Sequence, residues 1–423
     1  MSAILMAMLS GASRVDCVLS PTYAPHYDSF ARMLESIAQH ASDADAVKVF
    51  NVVDDEAAVA AFEARHAKWA CAAHGKCFAT PLTMERLLPA FGSTPAAMDA
   101  ELARAVREGR FWERKRQHQA LKKLYGVRGV RAQCYRVWVL DSESLALRNF
   151  SFASIFDDWF AKPAGLRRKS HPAPTRNLFS DSRDALCSKV IARSQNLTAA
   201  AVAALGVVDA ARGEFHHLHF RTNDYWFVNA DAVEAMVKLV ELTHRRPFMS
   251  VFVENAAGLA VYYGVFAHAY LSPASNATRL ANATAAAFLA DLSAAAPLPT
   301  FAPQRFCSLV ANANASLSST TRAELATFTA SGCKFDLDLE VPLLVGVGLH
   351  VEHVFRRPKH PACSLSVGLR RELLRGAFSW LHGYRFNRIR NSRHGVEVAK
   401  LFATSPHITW ATSNWNDQFR LPD

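Results

Sequence analysis

Apolar and polar positions follow two rhythms in the first half of the chain. Val15-Asp-Cys-Val-Leu-Ser20 reads as a strand, with a turn at Pro21-Thr-Tyr23. Residues 27–41 carry Phe30, Met33, Leu34 and Ile37 on one face at helical spacing. A second strand is expected over 46–53, ending in Asp54-Asp55, and a second helix over 56–70. This strand–helix–strand–helix order predicts a mainly parallel sheet with helices on its faces. Helices are expected over 84–88 and 96–107. Another is expected over 112–125, with Gly126 at its C-terminal end.

The run Cys134-Tyr-Arg-Val-Trp-Val-Leu140 follows and ends in Asp141-Ser-Glu143. Central parallel strands are continuously apolar, and ligands in open α/β sheets bind beyond their carboxyl ends. On an extended chain Asp141 and Glu143 would point the same way. Two hard oxygen donors on one side suit Mg²⁺ or Mn²⁺, and such an ion grips a diphosphate. The plainer reading is a strand end with a polar turn. Asp54-Asp55, Asp157-Asp158 and Asp336-Leu-Asp338 also bring carboxylates together, but only Asp141/Glu143 follows a run apolar enough for a central strand.

Further along, helical patterns cover 185–212, 232–242, 318–330 and 366–379, and strand patterns cover 250–254 and 341–351. The Ala-, Asn-, Thr- and Pro-rich stretch 274–303 specifies no element. Neither an internal repeat nor a composition break divides the chain, so a single large domain over 1–423 is expected.

Composition narrows the classes. The chain has 423 residues, half of them hydrophobic, enough for a large core. No run reaches the roughly 20 apolar residues of a membrane span. The first ten residues are apolar but lack a basic flank, so a first packing element is favoured over a signal peptide. A net charge of +11 favours phosphates, acidic polymers or membrane surfaces as partners. Basic clusters fall at 110–116, 166–169 and 385–393, yet no finger, RRM or KH motif surrounds them, so nucleic acid is not an expected partner. None of the 8 cysteines forms a CxxC, and Cys17 and Cys134 sit in strand-like runs as expected buried thiols. Sequons occur at Asn149, Asn196, Asn276, Asn282 and Asn314. Asn149 lies close to the acidic pair in sequence, which argues against a glycan there. The expected compartment is the cytoplasm, with the Golgi or secretory lumen as the alternative.

Three features in order carry a resemblance: the helix Gln117-x-Gln119-x-x-Lys122-Lys-Leu-Tyr125, then Asp141-Ser-Glu143, then Tyr225-Trp226. The chain resembles the GT-A nucleotide-sugar glycosyltransferases, closest to a glycosyltransferase-like group with an Asp-Ser-Asp motif. The resemblance covers roughly 15–270. It implies a GT-A-like Rossmann-type α/β fold, a mixed, mainly parallel sheet with helices on both faces. Residues 15–270 would form the nucleotide-sugar and acceptor core, and 271–423 a C-terminal extension completing the site. Thr22 and Tyr23, in the turn after the first strand, would hold the nucleoside. Asp141 and Glu143 would hold Mn²⁺ or Mg²⁺ on the donor diphosphate. His382-Gly-Tyr-Arg385 resembles the C-terminal segment in which a histidine completes the metal shell. Glu143 departs from the usual second Asp and reaches one methylene further.

Gln119 and Lys122 share a helix face and could meet a ribose and a phosphate; the plainer reading is a solvated basic helix. Arg385 would counter diphosphate charge. The segment 215–227 is rich in His, Asn, Asp and aromatic side chains. A zinc site lacks a third ligand there. The alternatives are a sugar-acceptor site and a core strand with aromatic packing. Asp224 and Glu254 are the candidate bases for an acceptor hydroxyl. The expected activity is transfer of a sugar from a nucleotide-diphosphate donor to a glycan, protein or lipid acceptor. The alternatives are a non-catalytic carbohydrate- or phosphate-binding protein and a basic nucleic-acid binder.

Overall fold

The structure is a computed structural model. It describes residues 14–66, 79–108, 114–146, 148–161, 167–168, 199–207, 218–219, 226–254, 259–271, 283–295, 304–305, 319, 323, 386–389 and 410–413. Its strands are β1 (Val15–Pro21), β2 (Val47–Val53), β3 (Ala79–Thr83), β4 (Cys134–Val139), β5 (Ser144–Ala146), β6 (Arg167–Arg168), β7 (Leu218–His219), β8 (Trp226–Asn229), β9 (Gln304–Arg305), β10 (Phe386–Ile389) and β11 (Trp410–Ser413). Its helices are α1 (Tyr27–His40), α2 (Glu56–His66), α3 (Met84–Ala90), α4 (Pro95–Arg107), α5 (Arg114–Val130), α6 (Phe152–Ala161), α7 (Ala230–His244), α8 (Phe248–Glu254), α9 (Leu259–Phe266) and α10 (Ala283–Ala295).

The central sheet has five strands in the order β3-β2-β1-β4-β8. The first four run parallel, and β8 is antiparallel on the edge. This is the mainly parallel α/β sheet that the strand–helix order predicts. Alternating side chains build a core on each face. Val18, Val49, Trp138 and Leu140 meet Phe30, Met33, Leu34 and Ile37 of α1 and Phe152 and Phe156 of α6. Cys17, Leu19, Phe50, Val52, Val137 and Val139 meet the apolar faces of α3, α4, α5, α7 and α8. A small second sheet joins distant parts of the chain: β5 pairs antiparallel with β11, and β11 pairs parallel with β10. The C-terminal strands thereby attach to the strand that directly follows Glu143.

Several expectations change. Residues 248–254 form a helix, not a strand; Phe248 and Phe252 stack one turn apart, with ring centroids 5.8 Å apart, beside Tyr262. A short apolar run fits either a buried strand or a buried helix. The helix expected to end near Gly126 continues to Val130. The glycine is there for contact. A Cβ on Gly126 would fall 2.7 Å from Val52 Cγ2 and 2.8 Å from Leu19 Cδ1, and one on Gly129 would fall 2.4 Å from Leu87 Cδ2. The two glycines let α5 lie tight on the sheet. Cys17 and Cys134 are not free thiols: they form a disulfide across β1 and β4, with Cα atoms 5.8 Å apart.

The outer side of α5 is held by a buried ion pair. Arg128 donates to both Glu234 oxygens on α7, at 2.7 and 3.1 Å, with its guanidinium 4.0 Å over the Phe91 ring. Burial pushes the Glu234 carboxyl up, but Arg128, with Arg131 and Lys238, outweighs it and leaves it below the usual carboxylate range.

Helix ends are closed by side chains. Thr83, Thr94 and Asn229 cap α3, α4 and α7. The start of α6 is capped from a distance: Asp43 accepts from the Phe152 and Ala153 amides at 2.7 and 2.9 Å and from Ser151 Oγ at 2.9 Å. Partial burial pushes Asp43 up, yet these donors together hold it below the usual carboxylate range.

Two outcomes follow. Gly126→Val drives a branched side chain into Val52 and Leu19 and should cost about 1–3 kcal/mol in urea unfolding. A variant as stable as wild type would show that α5 does not depend on this close approach. Asp43→Ala should cost about 1 kcal/mol at neutral pH. Because the folded pKa of Asp43 is lowered, its contribution is present above the unfolded value and is lost as pH falls through the folded one. The stability gap between wild type and Asp43→Ala should therefore close in strong acid; a gap that persists there contradicts the cap.

Candidate functional site

The carboxyl ends of β1, β2 and β4 gather most of the described candidate residues. Beyond β1, the Thr22 amide still donates to Val52 O at 2.9 Å, and Thr22 Oγ1 donates to Asn51 Oδ1 at 2.5 Å. The turn is thereby fixed to β2. Tyr23 and His26 follow, their rings 4.1 Å apart between centroids.

α5 lies over β1 and sends one lysine to each side. Lys122 turns toward β2. It donates to Thr22 O at 2.9 Å and pairs with Asp54 Oδ1 at 2.8 Å. Only 4% of Lys122 is exposed, and burial pushes its ammonium below the usual lysine range, with Asp54 opposing the shift. His118 Nε2 also reaches Asp54 Oδ1, at 3.2 Å. Lys123 turns toward β4 and pairs with Asp141 Oδ1 at 2.6 Å, and Gln119 Nε2 donates to the same oxygen at 3.4 Å.

Asp141 and Glu143 do not continue the strand. The Ser144 amide donates to Asp141 O at 3.0 Å, which closes a turn at this point. Alternation along an extended chain therefore does not apply, and the carboxylates meet different partners. Asp141, 5% exposed, faces α5. Glu143 Oε1 lies 3.0 Å from His26 Nδ1, with Ser142 Oγ 3.1 Å from the same nitrogen. Tyr23 OH lies 2.6 Å from His26 Nε2. With the ring proton on Nδ1, His26 donates to Glu143 and accepts from Tyr23.

Thr22, Tyr23, Gln119, Lys122, Asp141 and Glu143 thus share one edge of the sheet. Glu254 has other partners. It ends α8, where Arg246 grips both its oxygens at 2.9 and 2.6 Å and Arg104 reaches one at 3.3 Å. The Arg246 pair holds its carboxyl below the usual range, the wrong direction for a base that must take a proton near neutral pH. Asp224, His382 and Arg385 lie outside the described residues. β10 begins directly after Arg385 and pairs with β11, which in turn pairs with β5. In the aromatic segment, Phe227 stacks on Trp138 at 4.9 Å, which is core packing at that position; the rest of 220–225 lies outside the described residues. Three partners were not expected from the sequence: His26, His118 and Lys123. Lys123 was the most accessible of them, since it adjoins Lys122 on the same helix.

Among the described residues, no three His, Cys, Asp or Glu side chains converge as a cation site. Neither known family models nor curated proteins give a match to the chain.

Proposed function

We propose that the chain is a metal-dependent glycosyltransferase of the GT-A type that uses a nucleotide-diphosphate sugar. The observation that carries this reading is the convergence of the Thr22-Tyr23 turn, the Gln119/Lys122/Lys123 face of α5 and Asp141-Ser-Glu143 at the carboxyl ends of β1 and β4. Ligands in open α/β sheets bind at such edges. The strand order β3-β2-β1-β4-β8, with its antiparallel edge, supports the same reading.

The donors present suit a divalent cation in kind: Asp141 and Glu143 offer hard oxygens, with His382 as the proposed third ligand. When bound, the ion supplies charge to the departing diphosphate. The remaining work falls to the protein. Thr22 and Tyr23 border the nucleoside position, and Gln119 and Lys122 border the ribose and phosphates. Arg385 adds charge from the C-terminal extension. Asp224 is the candidate that takes the acceptor's proton; Glu254, already gripped by Arg246 and Arg104, is the weaker one. The acceptor is a glycan, protein or lipid.

The same proposal favours the secretory lumen over the cytoplasm. Disulfides form and persist in oxidising compartments, and Cys17 and Cys134 are joined. No described helix is long and apolar enough to cross a membrane. Asn149 is exposed, with its Oδ1 3.3 Å from His40 Nδ1. Its neighbour Phe150 is tied to His40, at the far end of α1 from His26 and Glu143. The 14 residues of α1 separate the two places by about 20 Å.

Calorimetric titration with UDP and GDP, with and without Mn²⁺, tests the activity, together with hydrolysis of UDP- and GDP-sugars. Mn²⁺-dependent binding is expected, and Asp141→Asn should weaken it at least tenfold, about 1.4 kcal/mol. Absence of both turnover and Mn²⁺-dependent binding sinks the enzyme reading and leaves a metal-free anion binder. For the compartment, the chain expressed with a secretory leader should shift in mass on treatment with peptide-N-glycosidase, and Asn149→Gln should remove part of that shift. An unglycosylated Asn149 would argue against the lumenal reading.

A further inference from the structure

The two adjacent lysines of α5 are held in different ways. Lys122 is almost wholly buried and satisfied by a backbone carbonyl and by Asp54. Lys123 is more accessible, with 19% of its side chain exposed, and its ammonium sits 2.6 Å from Asp141 Oδ1. Asp141 is nearly buried, and an isolated carboxylate there would be costly. Lys123 supplies a counter-charge to that carboxylate.

That position has a consequence for the proposed site. Asp141 Oδ1 cannot serve a divalent cation at full strength while an ammonium holds it, because like charges a few ångströms apart repel strongly at low dielectric. Lysine is suited to leaving: its charge is compact and sits on a flexible four-carbon stem. A diphosphate arriving with the cation offers it new anionic partners.

We infer that Lys123 is a diphosphate-binding residue that guards Asp141, pairing with the carboxylate in the free protein and with the donor phosphates in the loaded one. The inference rests on the proposed nucleotide-sugar reading. It makes the cation and the nucleoside diphosphate mutually dependent ligands: each favours release of Lys123 from Asp141, so each raises the other's affinity by the same factor. The free protein would bind the cation weakly by itself.

The test uses the full chain and Lys123→Met, with Mn²⁺ alone, UDP or GDP alone, and Mn²⁺ with each nucleotide, followed by calorimetry and by the Mn²⁺ paramagnetic signal. Removing the ammonium should tighten Mn²⁺ alone by about tenfold or more, and should weaken the nucleotide in the presence of Mn²⁺ by a similar factor. These opposite signs separate a guarding role from general damage to the site, which weakens both. If wild type binds Mn²⁺ with nucleotide but Lys123→Met leaves Mn²⁺-alone affinity unchanged or lower, the inference falls and the enzyme reading stands. If wild type binds neither, the enzyme reading falls and takes the inference with it. Should Lys123→Met fail to fold, Lys123→Arg decides. Its guanidinium can grip Asp141 bidentately, so Mn²⁺-alone affinity should drop severalfold; an unchanged value overturns the inference.

Discussion

The seating of α5 on the sheet is the constraint on which the rest of the molecule depends. Gly126 brings the helix against Leu19 and Val52 at a distance no side chain would allow. On the opposite side the Arg128–Glu234 pair binds the same helix to α7. Held from both sides, α5 has no freedom to ride up or slide. Its N-terminal half then projects over the carboxyl ends of the strands, and the side chains there arrive in fixed places. Lys122 reaches the end of β2 and Lys123 the end of β4 because the helix straddles β1 between them. The glycines contribute no chemistry, yet they set where the cations stand.

The edge they reach is rich in charge, and each of its carboxylates meets a nitrogen donor. Asp54 faces Lys122 and His118, Asp141 faces Lys123, and Glu143 faces His26. Such partners are what half-buried carboxylates require, since an unpaired charge at low dielectric costs several kcal/mol, while a paired and hydrogen-bonded one persists. These pairings also mean that any incoming anion competes with protein carboxylates for the same cations, and any incoming cation with protein ammonium groups for the same carboxylates.

The parts of the fold legible in the sequence were those governed by periodicity. β1, β2 and β4 are apolar toward both faces, as strands covered on both sides must be, and α1 is apolar on the face where Phe30, Met33, Leu34 and Ile37 meet one of the two cores. Legibility failed where two elements shared a signature or where long-range contact decided. Ser250-Val-Phe-Val-Glu254 is apolar throughout, and only the packing of Phe248 and Phe252 on Tyr262 makes it a helix. Gly126 signals a helix end when considered locally, and its true reason is a contact with residues over 70 positions away. The Cys17–Cys134 bond joins positions 117 apart, a pairing no local pattern encodes. At the site, Thr22, Tyr23, Gln119, Lys122, Asp141 and Glu143 share one edge, while Glu254 pairs with Arg246 and Arg104 elsewhere. Their pairings were not readable, because His26 and Glu143 are joined by the turn geometry of two separate loops.

That last pairing bears on why a glutamate stands at 143. The chain turns at Asp141, so the residue two positions on no longer shares its direction and looks back toward the β1 turn. A carboxylate there must span the gap between two strand ends to meet His26. The additional methylene of glutamate supplies reach in that direction. Through His26 and Tyr23 it ties the turn after β4 to the turn after β1, the same two turns that border the nucleoside and the diphosphate in the proposed function. Glu143 therefore ties the two turns together through His26, whereas Asp141, nearly buried, faces α5 and Lys123.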